Sequence, residues 1–164
     1  MAAIKPDKKL RAPLLDRLLD HNPEQSREPE HNQHLVLRQL RESVRRDLEH
    51  LFNTRARCLS TPAGTEMLDN SLLNYGLPDV ANYNLMASES RRVFCRDVER
   101  IILRFEPRIS SVRVLAEGAL DRDDHRFSFR VEAVLRASPA AEVVVFDSVL
   151  NPISQTVDVL ESNR

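Results

Sequence analysis

The spacing of the apolar residues changes once along this chain, within Arg104-Phe105-Glu106-Pro107-Arg108-Ile109. Upstream, Phe94, Val98, Ile101, Ile102 and Phe105 recur at i, i+4, i+7, i+8 and i+11, one stripe of an amphipathic helix. Pro107 has no amide proton and disfavours α geometry in the residue before it, so the helix is predicted to end near Phe105 or Glu106. Downstream the period is two. Val112, Val114 and Ala116 alternate with Ser111 and Arg113. Phe127, Phe129, Val131, Ala133 and Leu135 alternate with Ser128, Arg130, Glu132 and Arg136. One apolar and one wet face is the pattern of an antiparallel strand lying on a core. Val143 to Phe146 is apolar on both faces and reads as a central strand, and Ile153, Val157 and Val159 read as a weaker last one. Glu106 and Arg108 thus occupy a helix-to-strand corner stiffened by Pro107.

The first half of the chain is helical where it is periodic. Leu37, Leu40, Val44, Leu48 and Leu51 predict a helix from about Gln33 to Phe52. Its other faces mix Arg38, Arg41, Arg45 and Arg46 with Glu42, Asp47 and Glu49, the composition of a solvated face with i,i+4 ion pairs. Pro62-Ala63-Gly64 marks a turn, and Asn74-Tyr75-Gly76-Leu77-Pro78-Asp79 a rigid loop. Ser88 or Ser90 is the expected cap of the second long helix. Residues 1–33 are charged and carry four prolines, and are expected to form a flexible arm. Within them, Pro13 opens a short apolar island in which Leu14, Leu15, Leu18 and Leu19 fall on one side of two helical turns. That segment, about residues 13–20, is either a docking helix for another subunit or a helix folded back on its own domain. The expectation is therefore an α+β fold in residues 34–164, with two long amphipathic helices packed on a three- or four-stranded antiparallel meander. An open meander leaves unpaired backbone groups on its edge strands, which a strand from another chain can satisfy.

Composition excludes more than it proposes. With 24 basic and 25 acidic residues the net charge is −1, which gives no electrostatic argument for nucleic acid or an anionic membrane. Lysine appears only at Lys5, Lys8 and Lys9, and a cationic inventory dominated by arginine suits a protein–protein surface. Cys58 and Cys95 stand in no metal or disulfide spacing and are expected to be reduced, buried thiols. A charged N-terminus and the lack of a long apolar run point to a cytoplasmic protein without signal peptide or membrane span. No catalytic constellation, cofactor motif or metal site is expected. The three glycines are scattered, and His31 and His34 lack a third ligand. Asp121, Asp123 and Asp124 lack the pattern of a calcium loop. Glu106 is the one carboxylate at a special backbone position, but a glycosidase needs a second carboxyl group opposite it. For Glu106 and Arg108 two readings stay open: an internal ion pair that fixes the corner, or a contact with another chain.

Four segments in order carry a resemblance: Leu14-Leu15-Asp16-Arg17-Leu18, Leu51-Phe52-Asn53-Thr54-Arg55, Asn74 to Asp79, and Phe105-Glu106-Pro107-Arg108-Ile109. Together they resemble the TssE family of type VI secretion baseplate subunits, kin to the "lysozyme-like" wedge protein of contractile phage tails. Ile109 stands where relatives often have leucine. The resemblance implies an α+β fold and a non-enzymatic structural role in a cytoplasmic baseplate wedge. Implied partners are TssF and TssG, TssK through them, and the first ring of the contractile sheath. It also implies that Glu106, Pro107 and Arg108 serve assembly rather than catalysis. The alternatives are a muramidase-type hydrolase using Glu106 and a soluble regulatory adaptor of the same fold.

Overall fold

The computed structural model describes residues 33–57, 64–69, 71–118, 126–137 and 141–162, together with Leu18. Helix α1 spans Gln33–Asn53 and helix α2 spans Ser88–Phe105. Strands β1 (Ile109–Glu117), β2 (Phe127–Leu135), β3 (Glu142–Asn151) and β4 (Thr156–Glu161) follow as a four-stranded antiparallel meander in sequence order. The expected α+β class and the change of architecture at the corner are both observed. The single helical turn Glu66–Asp69 and two 3-10 turns, Leu72–Asn74 and Val80–Asn82, lie between the long helices.

One face of the sheet and one stripe of each helix form the core. In β2, every alternate residue from Phe127 to Leu135 is buried, as period two requires. From α1 the buried set is Val36, Leu40, Val44, Leu48, Leu51 and Phe52, with Val36 taking the place expected of Leu37. The reason is geometric: Val36 lies four residues before Leu40, on the same side of the cylinder. From α2 come Phe94, Cys95, Val98 and Ile102, while Ile101 and Phe105 pack at the margin. Phe94 is the hub. Its ring meets Tyr83, Phe127 and Phe129 edge-on with centroids 5.3, 5.6 and 5.9 Å away, and Phe52 meets Phe129 at 5.8 Å. Edge-to-face contacts of this kind add to the energy of area burial. Cys95 is a free, buried thiol as expected; Cys58 lies outside the described residues.

Several local expectations are revised. The N-cap of α2 is Ala87, with no capping side chain, rather than Ser88 or Ser90. The chain turns into the helix earlier, through Asn84, whose Oδ1 accepts from Met86 N at 3.2 Å. Strand β3 is longer than its apolar run, and Ile153 leaves the last strand for an exposed turn in which Asn151 Oδ1 accepts from Ile153 N at 3.0 Å. The loop from Asn74 to Asp79 is tied to the end of α1: Leu77 N donates to Thr54 O and Ala56 N to Leu77 O, both at 2.8 Å. Gly76, at φ +116, lets that loop press on the Thr54 backbone, where a Cβ would overlap the carbonyl.

The edges of the meander are not bare. On β4 the Asn53 side chain behaves as a one-residue strand: its amide donates to Val157 O and its Oδ1 accepts from Val157 N, both at 2.8 Å. Arg45 adds a donor to Val159 O at 3.0 Å. On β1 the Glu99 carboxylate accepts from Val114 N at 2.7 Å. Each long helix therefore supplies polar side chains to the sheet edge beside it, which reduces the unpaired backbone expected of an open meander.

Candidate functional site at the helix-to-strand corner

The corner is built by local rules. The α2 ladder closes with Glu106 N donating to Ile102 O at 2.8 Å, and Pro107 prevents a further turn. Ile109 N then donates to Glu106 O at 3.1 Å, and Arg108 O accepts from Arg136 N at 2.8 Å, where the sheet begins. This turn draws the Glu106 and Arg108 side chains together. Arg108 Nε donates to Glu106 Oε1 at 2.6 Å, Nη2 reaches Glu106 Oε2, and the Arg108 backbone N donates to Oε1 at 3.2 Å. Glu106 is only 5 % exposed. A carboxylate at that depth needs partners, and a two-pronged guanidinium is the strongest available.

Helix α1 completes the cluster. Arg108 Nη1 donates to Ser43 Oγ at 3.0 Å, and Nη2 pairs with Asp47 Oδ2. The internal reading of the Glu106–Arg108 pair is thus realised, and it does more than fix the corner: it ties α1 to the start of the sheet. Burial works against the charge of Arg108, but the hydrogen bonds and charges of Glu106 and Asp47 outweigh it and hold the guanidinium pKa above its ordinary value.

Beside this cluster lies an open cleft of about 370 Å³. Leu48, Leu51, Phe105 and Pro107 form its apolar lining, Asp47, Glu106 and Arg108 its charged wall, and Tyr75 its lip. Tyr75 and Phe105 meet edge-on, with centroids 5.2 Å apart. Burial, followed by the charges of Asp47 and Glu106, raises the Tyr75 pKa, so the hydroxyl stays neutral beside the two carboxylates.

Asp47, Ser43 and Tyr75 were not singled out by the sequence. Asp47 belongs to the mixed-charge surface assigned to solvent and Ser43 is named in no sequence pattern, yet each flanks the apolar stripe, next to Leu48 and Val44. Such flanking positions are where a helix can present a polar group to a neighbouring element. Leu14, Leu15 and Leu19 lie outside the described residues, whereas Leu18 is helical and 73 % exposed. His31 lies outside them too, as does the His34 side chain. Among the described residues no group of three or more His, Cys, Asp or Glu is arranged to hold a metal, and no helix is long and apolar enough to cross a membrane.

The architecture and the corner agree with a known family. The family described as baseplate wedge protein gp25 matches residues 38–140, which include most of the first long helix, all of the second, the corner and the first two strands. The chain belongs to the gp25 baseplate wedge family. TssE falls in that family, as the four sequence segments suggested, and it is a family of structural baseplate proteins. The chain is also similar to the anti-adapter protein IraD of Salmonella arizonae, with 37% identity over 98 residues, 60% of this chain and 71% of that protein. The gp25 match contains every member of the Ser43, Asp47, Glu106 and Arg108 cluster.

Proposed function

We propose that this chain is a non-enzymatic structural subunit of a type VI secretion baseplate wedge, acting in the cytoplasm. The observation that carries the reading is the baseplate wedge family match over residues 38–140, with Glu106-Pro107-Arg108 inside it. In this reading residues 34–164 form the wedge domain, and residues 1–33 form an arm whose Leu14, Leu15, Leu18 and Leu19 dock on a partner. The corner, with Pro107 exposed at its rim, is the second contact. The partners are TssF and TssG, TssK through them, and the first sheath ring.

A muramidase role for Glu106 is disfavoured by geometry. A general acid must come within hydrogen-bonding reach of the bond it protonates, whereas Glu106 is buried with both oxygens accepting from Arg108. The likeness to an anti-adapter favours one second reading, a soluble regulatory adaptor built on the same fold. Affinity capture from cells co-expressing TssF and TssG tests both. Recovery of a stable assembly containing both large subunits is expected. Recovery of a single small soluble protein in their place would support the adaptor. A zymogram of the purified chain should show no clearing of peptidoglycan, and clearing abolished by Glu106→Gln would overturn the non-enzymatic reading.

A further inference from the structure

We infer that the corner cleft is a receptor for one basic side chain, arginine or lysine, presented by a partner protein. The inference rests on the wedge-subunit reading and specifies the chemistry of its contact. Two carboxylates, Glu106 and Asp47, face a single guanidinium, so the cluster carries one surplus negative charge. Arg108 is committed inward, since Nε, Nη1 and Nη2 all donate to Glu106, Ser43 or Asp47. Arg108 is thus closed to an acidic partner, which would bring a third carboxylate to the cluster; Arg104, stacked over Phe105 at 5.2 Å, is not among the residues that line the cleft. Asp47 is placed the other way. Its side chain is 40% exposed, Oδ2 holds Arg108, and Oδ1 has no partner among the described residues. The Tyr75 hydroxyl likewise makes no hydrogen bond among the described residues and stands within reach of the charge of Asp47. These two groups offer acceptors to an incoming donor.

The lining fits the rest of such a side chain. Phe105, Pro107 and the Tyr75 ring, backed by the buried Leu48 and Leu51, form an apolar bed for an aliphatic stem whose charged end rests on Asp47. At about 370 Å³ the space lies at the small end of ligand pockets, the scale of one long side chain with its neighbours rather than of a polymer. Charge complementarity at a partly desolvated rim of this kind steers encounter and fixes register.

The test uses the full chain and its Asp47→Asn and Asp47→Lys variants, each measured for melting temperature and for affinity toward the purified TssF–TssG complex. Asparagine keeps an oxygen for Arg108 Nη2, so Asp47→Asn should melt within a few degrees of the parent. Its affinity should fall about ten-fold or more, and that of Asp47→Lys should be lost. An acidic substitution at one basic residue of the partner should restore binding to Asp47→Lys. Unchanged affinity in both folded variants would overturn the inference while leaving the wedge assignment intact. If the parent chain does not bind the complex at all, the wedge assignment fails. The cleft is then probed alone by titrating N-acetyl-arginine amide and following amide chemical shifts. Saturable shifts at Tyr75 and Phe105 that vanish in Asp47→Asn support a cation receptor, and their absence overturns it.

Discussion

Removing the guanidinium from the corner should unfold the domain far more readily than the position of Arg108 in a turn suggests. In Arg108→Ala, Glu106, 5 % exposed in the parent, keeps a single intramolecular donor, the residue 108 backbone N at 3.2 Å. Breaking a buried pair by deleting one partner costs about 3–5 kcal/mol, because the remaining charge stays buried and uncompensated. The other ties lost are weaker. The Ser43 hydroxyl contributes about 1 kcal/mol and the half-exposed Asp47 about 0–1 kcal/mol. A total near 4–7 kcal/mol corresponds to a fall in Tm of roughly 8–28 °C for a chain of this size. Urea unfolding followed by circular dichroism measures it directly. Removing both charges, as in Glu106→Leu with Arg108→Leu, should recover much of the loss, since a well-packed apolar pair is no worse than a buried ion pair. A cost below about 1 kcal/mol for Arg108→Ala, at unchanged m-value, would refute the reasoning: Glu106 would then have other compensation and the cluster would not tie α1 to the sheet.

Other consequences are as open to measurement. Gly76→Ala should cost about 1–3 kcal/mol, because its Cβ meets the Thr54 backbone at positive φ; Gly64→Ala, also at positive φ but with open space, should cost less. Asn53→Ala should loosen the β4 edge, with hydrogen exchange at the Val157 amide speeding up and stability falling by about 1–3 kcal/mol. Ser148 is 1% exposed and its hydroxyl has no partner among the described residues, so Ser148→Ala should leave stability unchanged or raise it by up to about 1 kcal/mol in a urea titration. Burial, and then the charge of Glu99, pushes the Cys95 thiol up to about 11 from 9.0. The native state therefore keeps a proton that the unfolded chain gives up. Stability should be complete below pH 9, fall as the pH rises toward 11, and fall less in Cys95→Ala; Tyr75 and Tyr83, both raised by burial above 10.0, extend the loss further. Urea midpoints between pH 8 and 10.5 measure the slope.

Much of this was legible in the sequence because it is local. The period of 3.6 before Phe105 and of two after Ile109 dictates helices followed by a meander, and Pro107 places the boundary within a residue. The same locality explains why Glu106 and Arg108 stand out, since a turn brings residues two apart together whatever surrounds them. Tertiary structure alone decided what they do. Ser43 and Asp47 lie 65 and 61 residues from Arg108, and the helical pattern could only say that they are polar and beside the buried stripe. Whether such a residue meets water or an opposing charge depends on how α1 is rotated and seated against the sheet, which the packing of Val44, Leu48 and Phe52 fixes. Asn53 and Glu99 follow the same logic. Each is an ordinary polar helix residue in sequence, and each becomes an edge partner for a strand only because the core sets its helix beside β4 or β1. Period and propensity are short-range and write the elements; the pairing of polar groups across elements comes from the one arrangement that buries the apolar faces of all of them together.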